Sequence, residues 1–267
     1  MGEDEELRHR GLVNAPCVRP SLPVRFVSDV HITWGDSQGR DTFNGFLEDC
    51  AASGVRTLFI HGDLFEFWIG DRQRKFSFYR PLFDALRDLT QSGTAVHLLK
   101  GNRDFLLGRA FEEAGCRVVE EHLILELGPW KTHLSHGDAL CLDDHSYQRA
   151  RKIFRSKAVA GIAWCLPAGL GVLLARSYRG ISERKKRRMK SAEGHRYHTI
   201  RRGVEDVLRR GGYDALICGH IHWPKEQDVV VDGRARRVIT TGAWEDGPNY
   251  VEFDGENLAL KDFQPAL

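Results

Sequence analysis

Five short β-rich runs, each closing on a small group of polar residues, constrain this chain more than any other feature. Val24–His31 (VRFVSDVH) ends in Ser28-Asp29, and Val55–Asp63 (VRTLFIHGD) in Gly62-Asp63. Thr94–Asn102 (TAVHLLKGN) ends in Gly101-Asn102, Lys131–Asp138 (KTHLSHGD) in His136, and Tyr213–His222 (YDALICGHIH) in Gly219-His220. Each run has the length and the β-branched or aromatic content of a buried strand. Helical patterns lie between them. Phe43, Phe46, Leu47, Cys50 and Ala51 share one helical face, with Asp41 or Thr42 as the expected cap and Gly54 as the stop. RPLFDALRDLTQSG repeats the pattern, with Pro81 in an early turn and Gly93 at the end.

Strands alternating with helices argue for α/β layering. The C-terminal part differs: QDVVVDGRARRVITTGAW and YVEFDGENLALKDF each hold an Asp-Gly between β-rich runs, a hairpin signal. A two-sheet α/β sandwich flanked by helices accommodates both halves. With 267 residues and 42% hydrophobic composition the chain can bury a sizeable core as one large domain. We expect that domain over residues 21–267, after a loose N-terminal extension of residues 1–20 whose opening MGEDEELRHR lacks the apolar region of a signal peptide. A formal net charge of +2 supplies no global basic field, so no nucleic-acid partner is expected. Six cysteines (Cys17, Cys50, Cys116, Cys141, Cys165, Cys218) form no Cys-x-x-Cys pair and fit reduced thiols in a cytosol. The apolar stretch Gly161–Ala175 contains Pro167 and is shorter than the roughly 20 residues of a spanning helix, which points to a soluble or peripheral protein.

Polar groups at the carboxyl ends of strands are where open α/β sheets place their sites. Here they are Asp29, His31, Asp63, Asn102, His136, His220 and His222. Carboxylates, an amide and imidazoles together suit manganese, iron or zinc better than magnesium alone. Asp29-x-His31 and His220-x-His222 are i, i+2 pairs, which in a strand point the same way and converge without a turn. Two divalent ions would supply +4 against the −2 of Asp29 and Asp63. The remaining positive charge would attract a phosphate and acidify a water. Seven ligands serve two ions only if one carboxylate bridges, and Asp63 is the candidate. Taken singly, a strand-end Asp is a cap or turn former and a lone His a satisfied polar group; the coincidence of five motifs argues for a metal centre.

The ordered set SDVH, GDLFEFWIGD, GNRDF, HGD and GHIH resembles the calcineurin-like metallophosphoesterase superfamily over roughly Val24 to Phe263. The resemblance implies a metallophosphoesterase sandwich with one metal on Asp29, His31, Asp63 and His222 and another on Asp63, Asn102, His136 and His220. GDLFEFWIGD, GNRDFLLG, HGDALCLDDHSYQRAR and GHIHWP are similar more narrowly to the UDP-2,3-diacylglucosamine diphosphatase family. That family implies a hydrolase of the lipid A pathway acting on a lipidated UDP-sugar. It also implies Mn²⁺, other divalent metals being possible, and a place on the cytoplasmic face of a bacterial inner membrane. By the same resemblance Asn102, Arg103, Asp144, Tyr147 and His220 fall at substrate-binding positions, with Ser182 and Lys190 near where the lipid sugar binds. Asp143, beside Asp144, reads equally well as a helix cap.

Arg103 occupies a slot where many two-metal phosphoesterases carry a histidine. A histidine suits protonation of a leaving oxygen, whereas arginine offers a permanently charged planar fork of donors to phosphate oxygens. A phosphate leaving group needs little protonation at neutral pH, so Arg103 reads as a catalytic charge stabiliser. Residues 151–210 separate the last two histidine motifs by more than a sheet crossover needs. This insert joins the apolar Gly161–Ala175 to the basic RSYRGISERKKRRMK, a combination suited to a helical, lid-like element resting on anionic lipid. A core helix followed by a solvated charge run, or a basic RNA-binding strip, are the competing readings. For the whole chain, the alternatives to the lipid-sugar hydrolase are a two-metal phosphodiesterase or phosphatase acting on a soluble nucleotide, or another lipid-linked diphosphate, and a non-catalytic scaffold of the same fold.

Overall fold

The computed structural model describes residues 16–119, 121–142, 148, 149, 151 and 193–265. Among them, twelve strands form two six-stranded sheets. One sheet runs from edge to edge as Leu258–Asp262 (β12), Asn249–Phe253 (β11), Val24–Val27 (β2), Thr57–His61 (β3), Ala95–Leu99 (β4) and Arg117–Val119 (β5). The other runs Cys17–Val18 (β1), His122–Leu127 (β6), Trp130–Ser135 (β7), Ala215–Cys218 (β8), Arg234–Thr240 (β10) and Lys225–Val231 (β9). Strands β2 to β5 are parallel, while β11 and β12 add antiparallel edges. In the second sheet β7, β8 and β10 are parallel and the outer pairs β6–β7 and β9–β10 antiparallel. Cys17–Val18, at the end of the segment read as a loose extension, pairs with β6.

Two-residue alternation divides each strand between two cores. Phe26, Phe59, Leu99, Leu134, Ala215, Ile217, Ile239 and Phe253 fill the layer between the sheets. Phe26 and Phe59 stack there at 5.3 Å, and truncating either ring would cost about 3–5 kcal/mol. Their neighbours Val27, Leu58, Ile60 and Leu98 face outward onto helices Ser37–Ala52 (α1) and Arg80–Gln91 (α2). On the other flank Leu216, Cys218 and Val238 meet Ile200, Val204, Val207 and Leu208 of Glu193–Gly211, the last of four α-helices among the described residues, α4. The short Arg109–Glu112 (α3) packs its Ala110 and Phe111 under the first flank. Strands buried on both faces explain why their sequences read as continuous apolar runs.

Two local expectations change. α1 is capped by Asp36, whose carboxylate accepts from the Gly39 N–H at 3.1 Å; Asp41 and Thr42 lie inside the helix. Asp36 follows the left-handed Gly35 and has extended backbone, the conformation a cap needs. Asp232-Gly233 is a two-residue hairpin turn with φ of 49° and 75°, as its sequence suggests. The second hairpin instead closes over four residues, with the Asp254 carboxylate accepting from the N–H groups of Glu256 and Asn257, each at 2.8 Å. No helix among the described residues is long and apolar enough to cross a membrane.

His133, on the helix-facing side of β7, is fully buried, and neither of its ring nitrogens has a hydrogen-bond partner. Burial first, then the neighbouring His122, lowers its pKa to about 3. Below pH 6.5 the unfolded chain therefore takes up a proton that the folded chain refuses, and stability falls with pH. Through this residue alone, stability at pH 5 should be about 2 kcal/mol lower than at pH 7. His133→Phe should remove that part of the acid loss, as read from urea midpoints at the two pH values.

Candidate metal centre

The candidate ligands stand where five strands stop. Parallel β2, β3 and β4 deliver Asp29, Asp63 and Asn102 to one end of their sheet, and parallel β7 and β8 deliver His136 and His220 from the other. The expectation that Asp29/His31 and His220/His222 converge along a strand is corrected. β2 ends at Val27 and β8 at Cys218, and all four residues lie beyond them in left-handed backbone, with φ of 53°, 55°, 69° and 52°. Asp63 is left-handed as well, at 53°. The Asp29–His31 segment runs beside the loop after β3, tied to it by backbone bonds from Asp29 N–H to the Gly62 carbonyl and from His31 N–H to the Asp63 carbonyl.

Each buried carboxylate has one oxygen held by the chain and one turned to the imidazoles. Asp29 Oδ2 accepts from the His220 N–H at 3.0 Å and from the Ser28 hydroxyl. Its Oδ1 lies 3.2 Å from His222 Nε2 and 3.8 Å from His31 Nε2. Asp63 Oδ1 accepts from the Arg103 N–H at 3.0 Å. Its Oδ2 lies 3.6 Å from His31 Nε2 and 3.5 Å from His136 Nε2, between the two halves of the cluster. Asn102 Oδ1 sits 2.9 Å from His136 Nε2 and 3.0 Å from His220 Nδ1. The structure thus brings together all seven residues expected from the sequence.

These separations suit divalent cations. The ligand atoms of Asp29, His31 and His222 lie within 4.8 Å of one another, as do those of Asp29, Asp63 and His136. Neither ring nitrogen of the buried His31 has a hydrogen-bond partner, which a buried imidazole that serves as a metal ligand would explain. His136 donates through Nδ1 to the His61 carbonyl at 3.3 Å, which leaves Nε2 for the centre. Gly101 and Gly219 have no room for a side chain. A Cβ at Gly101 would collide with the Asp63 N–H and carboxylate, and one at Gly219 with Asp29 Oδ2 and the Ser28 hydroxyl.

Electrostatics bind the cluster tightly. Burial works to raise both aspartate pKa values, but His222, His136 and His31 hold Asp29, and His136, His31 and Arg103 hold Asp63, well below the usual carboxylate range. Burial pushes His220 down to about 4. His136 goes the other way: against burial, the Asp63 and Asp29 charges raise it to about 10. The Arg103 side chain is only 12% exposed, with its guanidinium 3.2 Å from Asp63 Oδ2 and ion-paired with Glu66.

Sequence reasoning passed over four supporting residues. Glu66 holds Arg103, and Thr241 contacts the Ser28 hydroxyl at 2.6 Å. Ser28 in turn reaches Asp29, and Asp104 receives four backbone N–H groups. Three of the four sit inside the strand-end motifs, yet a hydroxyl or carboxylate that serves another side chain or a backbone N–H leaves no mark in ligand spacing. Asp144, Tyr147, Ser182 and Lys190, the apolar Gly161–Ala175 and the basic run after it lie outside the described residues.

Residues 22–224 match the family model for calcineurin-like phosphoesterases. The UDP-2,3-diacylglucosamine hydrolase of Pseudomonas putida strain F1 is 35% identical over 244 residues, 90% of this chain and 99% of that protein. The UDP-2,3-diacylglucosamine hydrolase of Nitrosococcus oceani is 35% identical over 242 residues, 89% of this chain and 93% of its own length.

A cation that takes His136 Nε2 must displace the proton which Asp63 and Asp29 favour there, while His31 and His220, lowered by burial, are already neutral. Metal binding should therefore release about one proton, and affinity should rise roughly tenfold per pH unit between pH 6 and 8. Calorimetric titration with Mn²⁺ in buffers of different ionisation enthalpy measures both quantities.

Proposed function

Because this chain belongs to the calcineurin-like phosphoesterase family, we propose that it hydrolyses the pyrophosphate of UDP-2,3-diacylglucosamine to UMP and 2,3-diacylglucosamine 1-phosphate, with two Mn²⁺ as its metals. The observation that carries the reaction class is the position of Asp63 Oδ2, 3.6 Å from His31 and 3.5 Å from His136 and so between the two halves of the centre. The substrate is argued from the named hydrolases, which align with this chain over nearly their whole length.

Asp29, His31, Asp63 and His222 would hold one cation and Asp63, Asn102, His136 and His220 the other. The pair would supply the charge that draws in a phosphate and makes water acidic enough to attack phosphorus. The chain's own residues do the rest. Asp29 and Asp63 fix the donor geometry through their anchored oxygens. Arg103 presents a planar fork beside Asp63, suited to charge that builds on phosphate oxygens as the pyrophosphate bond breaks. Glu66 pairs with the same guanidinium through Nη1, so Arg103 is held by both carboxylates. Cleavage expels a phosphate monoester, stable as an anion, so an acid in the Arg103 slot is not required. In this reading Asp144, Tyr147, Ser182 and Lys190 contribute to the substrate side, and of the insert expected over residues 151–210 the apolar Gly161–Ala175 lines the acyl chains, since its last part, Glu193–Gly211, packs on the second sheet instead. The lipid substrate would place the work at the cytoplasmic face of an inner membrane.

The Mn²⁺-loaded protein should release UMP from UDP-2,3-diacylglucosamine, and the Asp63→Ala variant should not. Turnover of a soluble phosphodiester with no UMP release would leave a metallophosphoesterase with a different substrate. Arg103→Ala should lower kcat by about 10²–10³ with bound metal unchanged, and Arg103→His should not restore it. Full activity of the histidine variant would reassign this position to proton transfer.

A further inference from the structure

The two loops that carry Asp63 and Asn102 leave neighbouring parallel strands, β3 and β4, with no ladder to join them past His61 and Leu99. Something else must set their separation. Asp104 is completely buried, and its carboxylate accepts from backbone N–H groups of both loops. Its Oδ1 accepts from Asp63 at 3.2 Å and from Gly101 at 2.9 Å. Its Oδ2 accepts from Leu64 at 2.7 Å and, more loosely, from Phe65 at 3.5 Å. One carboxylate thus gathers three successive donors of the β3 loop and one of the β4 loop. The link is reciprocal, since the Asp63 carboxylate accepts from the Arg103 N–H of the β4 loop at 3.0 Å. Gly101, where any Cβ would strike Asp63 N and Oδ1 and press on Asp104 Oδ1, shows how closely the loops are drawn together.

We propose that Asp104 is the positioning residue that sets the spacing between the two halves of the metal centre, by holding the Asp63 loop to the Asn102 loop through both oxygens of its carboxylate. It touches neither substrate nor ligand atom and acts through the backbone of Asp63 and Gly101. The chemistry demands a group with acceptors on both prongs, because donors approach from both sides. Asparagine has the same shape but turns an NH₂ toward an N–H, so an isosteric change is predicted to be harmful here. An alanine removes the acceptors altogether. The inference rests on the reading of Asp63 and Asn102 as metal ligands, and not on which phosphate ester is cleaved.

The test is Mn²⁺ binding, measured by calorimetry on the full chain, with the fold followed by far-UV circular dichroism. Asp104→Asn should keep the wild-type spectrum and bind Mn²⁺ about 10- to 100-fold more weakly, the usual effect of losing a group that orients ligands. The Asp63, Leu64 and Gly101 amides should lose hydrogen-exchange protection in the same variant. A folded Asp104→Asn protein that binds Mn²⁺ like the wild type, even with a lowered Tm, would overturn the proposal and leave Asp104 a purely structural residue. Should that variant not fold, Asp104→Ala, which leaves space for water in place of a donor clash, takes the same measurement with the same two outcomes. The wild-type chain gives a reading that needs no variant: the Asp63, Leu64 and Gly101 amides should be strongly protected even without metal. Fast exchange at those amides would overturn the proposal. Loss of Mn²⁺ binding in Asp63→Ala is the separate check on the ligand reading itself.

Discussion

Left-handed backbone at the ends of the strands is the constraint on which the centre depends. Six non-glycine residues among those described have positive φ, and five of them are Asp29, His31, Asp63, His220 and His222. Each such conformation costs on the order of 1–3 kcal/mol and persists only where its surroundings enforce it. The surroundings here are hydrogen bonds from one strand-end loop to the next. Gly62 receives the Asp29 N–H, Asp63 receives that of His31, and Asp29 Oδ2 receives that of His220. The bond to the Asp29 carboxylate contributes about 1.5–3 kcal/mol and each backbone pair about 0.5–1.5 kcal/mol, together enough to offset much of that cost.

The two-sheet sandwich explains how such turns come to face one another. Neither sheet carries the full donor set: Asp29, His31, Asp63 and Asn102 follow strands of one, and His136, His220 and His222 follow strands of the other. The layer of Phe26, Phe59, Leu134 and Ile217 between the sheets fixes their separation, and so the distance across the centre. Apolar packing and ligand geometry are in this sense one design. The same arrangement buries two carboxylates side by side, a costly choice that imidazoles and Arg103 offset by their charge.

Arg103 and Glu66 give the centre its asymmetry. A guanidinium keeps its charge at every accessible pH, so its service to a phosphate does not depend on a proton arriving at the right time. Glu66 shares that guanidinium with Asp63, which keeps a strong cation beside the centre without its entering the ligand set. A histidine in the same place would be subject to the pull of Asp63 and Asp29 that raises His136.

Most of the layering and the seven-residue donor set were legible in the sequence. Buried strands and amphipathic helices announce themselves through periodicity, and strand-end Asp, Asn and His residues flanked by glycine are rare enough together to single out a site. The chain alone could not say how His31 and His222 turn inward, because strand alternation and a left-handed turn both bring i, i+2 residues together. Nor could it choose Asp36 over Asp41 as a cap, since both are acceptable and only the preceding turn at Gly35 decides. Asp104, Glu66, Ser28 and Thr241 became meaningful only in three dimensions, because each acts on residues that local spacing cannot identify. Donor chemistry is written residue by residue and survives in the sequence. The positions of the donors depend on two sheets packing against each other, and that is a property of the folded chain alone.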